Sequence, residues 1–199
     1  IQSGSYNVMI GLSAGQHAVG ESNTFIGLDA GNGETSSPFS NGVENVAVGY
    51  YSQRIFRSGS YNTNLGVMSG YRAVDSERRV MIGYKAGYHA TGSYNTFVGA
   101  EAGKGGQTSA PYSSGTNNVA VGYKALTAFT TGNSNIAIGY QAADSISTGE
   151  SNVAIGYEAY ENATGGSETV AIGHGAGNVA QGGESVLIGY QAGYGTSGG

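Results

Sequence analysis

Acid–base or metal chemistry in this chain would have to come from three histidines and thirteen carboxylates, because there is no cysteine. His17 and His89 stand 72 residues apart at equivalent places in a repeat, without a fixed carboxylate or serine partner, and His174 stands alone. A zinc site needs three or four N, S or O ligands that converge, and this spacing keeps the histidines apart. Glycoside cleavage needs two carboxyl groups at a set separation across a groove. The closest acids, Glu150, Glu158, Glu161 and Glu168, read instead as a solvated face. Gly103-Lys104-Gly105-Gly106 lacks the Gly-Lys-Ser/Thr ending of a phosphate-binding loop. The residues predict no enzyme, no metal and no cofactor.

Two features are better suited to binding. Five of the eight basic residues, Arg54, Arg57, Arg72, Arg78 and Arg79, fall in one stretch, where only Asp75 and Glu77 offset them. That leaves a local charge of +3 in a chain of net charge −5. Forked guanidinium groups suit sulfated, phosphorylated or carboxylated glycans. The structural alternative is a set of ion pairs between chains, Arg78 or Arg79 with Asp75 or Glu77 of a neighbour. The second feature is a pair of matching loops, 32–42 and 104–115, with Phe39 and Tyr112 at the same position in each. Loops on a rigid scaffold commonly carry binding function. Such an aromatic either stacks on a sugar ring or tucks against an adjacent chain.

The elements that must position these residues are repeats. The unit reads Asn, β-branched, any, aliphatic, Gly, often Tyr, any, Ala. Its anchor glycines are Gly11, Gly27, Gly49, Gly66, Gly83, Gly99, Gly122, Gly139, Gly156, Gly173 and Gly189. Their spacings are 16, 22, 17, 17, 16, 23, 17, 17, 17 and 16 residues. One residue before each anchor lies an aliphatic: Ile10, Ile26, Val48, Leu65, Ile82, Val98, Val121, Ile138, Ile155, Ile172 and Ile188. Three before it, every copy is β-branched; three after it lies Ala, or Ser52 and Ser69. Alternating β-branched residues bounded by Gly, Ser, Thr and Asn read as short strands between turns.

The prediction is an all-β chain, a parallel β-solenoid or β-roll of about eleven 16–17-residue rungs, forming one array over residues 1–199. The β-branched, aliphatic and Ala columns are expected to fill its core, with a second short strand carrying the Ala column. An Asn column four before the anchor, from Asn7 to Asn152, is expected to form a stacked ladder that satisfies turn backbone groups. With so little to bury in each rung, part of the surface, including the Tyr column, is expected to be covered by another copy of the chain. The two long loops also define a super-repeat of 72–73 residues; residues 192–199 look like a third such loop, as though the chain were a piece of a longer fibre.

Composition narrows the class further. Glycine supplies 37 of 199 residues, yet two prolines and no Gly-X-Y period exclude collagen. Only 11% of residues are charged, which argues against charge-driven disorder. Eight Lys and Arg in an acidic chain predict no nucleic-acid partner, and no apolar run approaches a membrane span.

The unit Asn152-Val153-Ala154-Ile155-Gly156-Tyr157-Glu158-Ala159, with its near-copy from Asn135 to Ala142, resembles the head repeats of trimeric autotransporter adhesins. The form from Thr91 to Gly103 is also similar to repeats of phage-type tail fibres. The resemblance spans essentially the whole chain, with longer rungs and two Pro-containing loops as departures. It implies a left-handed, homotrimeric β-roll outside the cell, on a cell surface or virion. Its implied role is a structural and adhesive fibre segment that spaces and displays receptor-contact loops. The alternative is a carbohydrate-binding receptor module that uses the Arg cluster, Phe39 and Tyr112. An enzyme of the tailspike depolymerase kind would need paired acids, which the chain lacks.

Overall fold

The computed structural model describes residues 4–35, 39–106, 112–178 and 183–195. Eleven three-residue strands stack in parallel, one per rung, into a single sheet: β1 (Val8–Ile10), β2 (Thr24–Ile26), β3 (Val46–Val48), β5 (Thr63–Leu65), β7 (Val80–Ile82), β8 (Thr96–Val98), β9 (Val119–Val121), β10 (Ile136–Ile138), β11 (Val153–Ile155), β12 (Val170–Ile172) and β13 (Val186–Ile188). Pairing is in register throughout, so Ile138 stands beside Val121 and Ile155, and Ala137 beside Ala120 and Ala154. The chain is a parallel β-solenoid, as the columns predicted. No helix among the described residues is long and apolar enough to cross a membrane.

The core is inverted relative to expectation. The strands bury their middle residue and leave the two flanking columns half-exposed. The interior therefore holds Phe25, Ala47, Met81, Phe97, Ala120, Ala137, Ala154 and Ala171. The aliphatic column, Ile10, Ile26, Val48, Ile82, Ile138, Ile155, Ile172 and Ile188, faces outward, with Ile10 58% and Ile188 65% exposed at the two ends. Period-two alternation separates two faces without saying which is inside. The Ala column does turn inward, opposite the middle residue.

The predicted second strand on the Ala column is absent. Every rung turns there, with positive φ two and four residues after the anchor, as at Lys124 (54°) and Leu126 (53°). Extended backbone cannot pass through those angles. Among the described residues a second strand occurs only at β4 (Ile55–Phe56) and β6 (Arg72–Ala73), six and seven residues after their anchors. Elsewhere the return path is turn-like, yet its amides still bond the next rung, as Gly15 N to Ala30 O at 2.9 Å and Thr130 N to Ser147 O at 2.8 Å.

The anchors themselves need glycine. At Gly156 φ is +137°, and a Cβ there would lie 2.5 Å from Gly173 O in the next rung. Carbonyl and anchor stack so closely that no other side chain fits.

The Asn column forms the expected ladder. Asn135 Oδ1 accepts from Asn152 N at 3.1 Å and Asn152 Nδ2 at 3.0 Å, while Asn135 Nδ2 donates to Gly149 O at 2.8 Å. An asparagine of the ladder thus satisfies a turn carbonyl and the amide of the next residue in its column, which is Arg79 above Asn62 and Thr169 above Asn152. These side chains are fully buried from Asn23 through Asn62 and from Asn95 through Asn135.

Between those runs the interior turns polar. Ser52, Ser69, Asn64, Gln53, Ser76 and Arg79 are all buried here and separate two apolar clusters, one from Met9 to Ala73 and one from Met81 to Leu187. Arg79 occupies the Asn column. Its Nε donates to Asn62 Oδ1 at 3.3 Å and its Nη1 to Ala90 O at 2.7 Å, while Nη2 is buried without a partner. Burial alone pushes its pKa down to about 9. Replacing it with an apolar side chain of similar volume, Arg79→Met, is expected to stabilise the fold by about 1–4 kcal/mol at pH 7. The depressed pKa means that the unfolded chain holds the proton more tightly above pH 9. Wild-type stability therefore gains relative to the variant as pH rises. Thermal melts of both proteins at pH 7 and pH 10 should show the gap narrowing. A gap that widens would contradict the buried cation.

Candidate functional site

The five arginines do not form one patch. Arg57 makes a two-pronged pair with Asp75, at 3.2 and 2.8 Å, on the solvent side of the rod. Burial would raise the Asp75 carboxyl, but hydrogen bonds from Ser58 and Arg57 outweigh it and hold it below its usual range. Arg78 pairs with Glu77 at 2.9 Å and lies 5.0 Å from the Tyr61 ring centre. Both pairs form within the chain, and Arg57 rather than Arg79 takes Asp75. Arg79 is wholly inside the ladder, so it cannot be a ligand contact. Its position in the Asn column, not its charge, was the signal for that role.

Arg54 and Arg72 do come together. They lie on the return wall, in β4's rung and in β6, where parallel pairing places Ile55 beside Arg72. Loop residues Asn32, Gly33, Glu34 and Thr35 arch over them, held by Gly33 N to Arg54 O at 3.0 Å. Together with Ile55 these residues line a cavity of about 340 Å³. Arg54 is partly committed: Nε donates to Asp29 at 3.2 Å and Nη1 to Tyr71 Oη at 3.1 Å, and the Tyr51 ring lies 4.8 Å from its Cζ.

Arg72 has no carboxylate partner among the described residues. Its guanidinium stacks 4.3 Å from the Tyr112 ring centre, and its Nε is buried without a hydrogen bond. Tyr112 also stacks with His89 at 6.0 Å, and Phe39 stacks with His17 in the same way. Both loop aromatics are therefore half-buried, each stacked on a histidine of its own chain. Burial lowers the His89 pKa, and the charges of Arg72, Lys104 and Lys85 lower it further. The loop tips at 36–38 and 107–111, with both prolines, and residues 196–199 lie outside the described residues.

A second surface runs the length of the rod. The outward columns of the main sheet form an apolar strip two side chains wide, and at ~4.8 Å per rung it is about 50 Å long. Beyond the anchors, Tyr123, Tyr140, Tyr157, His174 and Tyr190 stack into a continuous ladder with ring centres 4.9–5.4 Å apart. Since these rings cover one another's faces, the ladder shows edges and hydroxyls to solvent, and Tyr140 is 41% exposed.

No family model, no curated protein and no solved structure matches this chain. Its chemistry is therefore read from its own geometry. Among the described residues no group of three or more His, Asp or Glu is placed to hold a metal ion. Two surfaces remain: the outward aliphatic strip and the cavity at Arg54 and Arg72. Sequence reasoning found the two arginines, but missed Asn32, Glu34, Thr35 and Ile55, and placed the strip inside.

Proposed function

We propose that the chain is a structural and adhesive segment of an extracellular homotrimeric fibre, of the kind found as adhesin heads or tail-fibre shafts. In that role it spaces and displays contact loops on a cell surface or virion. The observation that carries this reading is the outward aliphatic strip. All 22 of its positions are Val, Ile, Leu or Thr, while the buried middle column ranges from Ala to Phe. An interior column need only fit its local neighbours. An exterior column kept uniform over eleven rungs must fit something equally uniform with the same ~4.8 Å repeat. Another copy of this chain offers that period. Contiguous exposed apolar surface on this scale also marks an association site. Three chains closing about a common axis would cover each strip and leave no open end to the association around that axis. The three-fold count rests on the resemblance of the Asn-Val-Ala-Ile-Gly-Tyr unit to adhesin head repeats.

The test is the solution mass of the purified chain by light scattering. A mass of three chains is expected, about 60 kDa from the 20.1 kDa of one. A folded monomer would overturn the fibre reading.

A further inference from the structure

We infer that the cavity between the 32–35 loop and the return wall is a binding site for a carboxylate-bearing sugar residue, with Arg72 as its principal anchor.

The donor geometry comes first. Arg72 presents a planar, permanently charged fork with no ion pair among the described residues, held in place by the Tyr112 ring at 4.3 Å. Arginine forks fit carboxylates in a two-pronged manner, and a guanidinium already fixed by stacking loses little freedom on binding. The remaining lining supplies what a sugar needs beyond its acid. Asn32, Thr35 and Glu34 offer amide, hydroxyl and carboxylate partners for ring hydroxyls, and Ile55 offers a small apolar wall. About 340 Å³ is room for one or two pyranose rings and too little for a long polyanion. Glu34 also sets the charge: beside Arg72 it suits a single acid and opposes dense sulfate or phosphate clusters.

The super-repeat supplies an internal control. The second long loop recurs one super-repeat later in the sequence, and there the positions of Arg54, Ile55 and Arg72 are occupied by Thr127, Ala128 and Ser145. Glu34 is matched by Gly106, whose amide donates to Phe129 O at 2.9 Å and draws the loop onto the wall. In the first copy the Glu34 amide donates instead to Ser40 Oγ at 2.8 Å. The same scaffold thus appears once with two arginines and an acid around a cavity, and once with neutral residues on the wall, where Lys104, in the place of Asn32, is paired with Glu101 at 3.3 Å. Folding alone does not demand the arginines, because the second copy folds without them. The site lies within one chain and stands whether or not chains assemble.

The experiment is an NMR titration of the full chain, following backbone amide shifts with sodium glucuronate, N-acetylneuraminate, glucose and sodium sulfate as separate probes. Saturable shifts confined to residues 32–35, 54–55 and 72 are expected with one or both sugar acids, at millimolar concentrations. Whichever acid binds more tightly identifies the source class, a uronic or a nonulosonic acid. Arg72→Gln should weaken binding at least tenfold. Glu34→Gln should tighten it two- to fivefold by removing a neighbouring negative charge. Arg57→Gln, in the solvent-side ion pair, should leave it unchanged. If Arg72→Gln also lowers the melting temperature, the Glu34→Gln and Arg57→Gln pair still decides the matter. Equal shifts with sulfate, unaltered binding in Glu34→Gln, or no saturable shift with either acid would overturn the site.

Discussion

If the chain forms the trimer proposed above, replacing Ile138 and Ile155 together by lysine is expected to reduce the solution mass from three chains to one, with the rungs still folded. Both side chains point out of the sheet, and Ile138 is 38% exposed in the single chain, so neither change disturbs the buried Ala137 and Ala154 between them. In an assembly the same two lysines would bring six cations into an apolar seam. An unpaired buried charge costs several kcal/mol after relaxation, and six exceed what an interface of ordinary size can offset. Light scattering reads the mass, and circular dichroism reads the strands. The matched change at the buried face, Ala137→Lys, should instead destroy the fold. If the outward pair unfolds the protein while the inward one is tolerated, the inside and outside of the sheet are assigned the wrong way round.

The anchor column gives the second large effect. Gly156→Ala is expected to destabilise each chain by roughly 2–6 kcal/mol: ~1–3 for an L-residue held in a glycine-only backbone conformation and ~1–3 for overlap with the next rung. The added Cβ would sit 2.5 Å from Gly173 O and 2.7 Å from Gly173 C, both backbone atoms that cannot rotate away. Gly165→Ala is the control. Its φ lies outside the left-handed region, and only Thr148 Oγ1 lies within 4 Å, at 3.8 Å. Such a surface change should stay within about 0.5 kcal/mol. Denaturant melts of the two variants would separate these cases, and a tolerated Gly156→Ala would show that the anchors serve some need other than close stacking.

The period of the repeat was legible because parallel in-register stacking forces each column to repeat the same conformational need: glycine at the anchor, asparagine where a turn carbonyl must be met. The inside of the sheet was less legible. Its signal was present as a reciprocity in size. Where the middle strand residue is large, the residue four beyond the anchor is glycine, as in Phe25 with Gly31, Met81 with Gly87 and Phe97 with Gly103. Where the middle residue is Ala47, Ala120 or Ala154, the partner is Gln53, Leu126 or Tyr160. Only residues that share an interior trade volume in this way. Arg79 misled for a different reason: charge suggested a surface, whereas its column led inward to the ladder. The cavity was only half legible. Asn32 and Arg72 are 40 residues apart, and their meeting depends on how the long loop crosses two rungs, which no local pattern specifies.

One consequence follows from the direction of the rung-to-rung hydrogen bonds. All of them lie along the rod, and the strands lie across it. A pull on the two ends therefore loads the bonds one rung after another rather than shearing many at once. Each regular rung that yields releases 16–17 residues, about 55 Å of slack at ~3.4 Å per residue, in place of a ~4.8 Å step, and the two rungs of 22 and 23 residues release more. Under load a tether built this way lengthens in increments and dissipates work at each one. A surface attachment could then outlast a sudden tug that would snap a stiffer link.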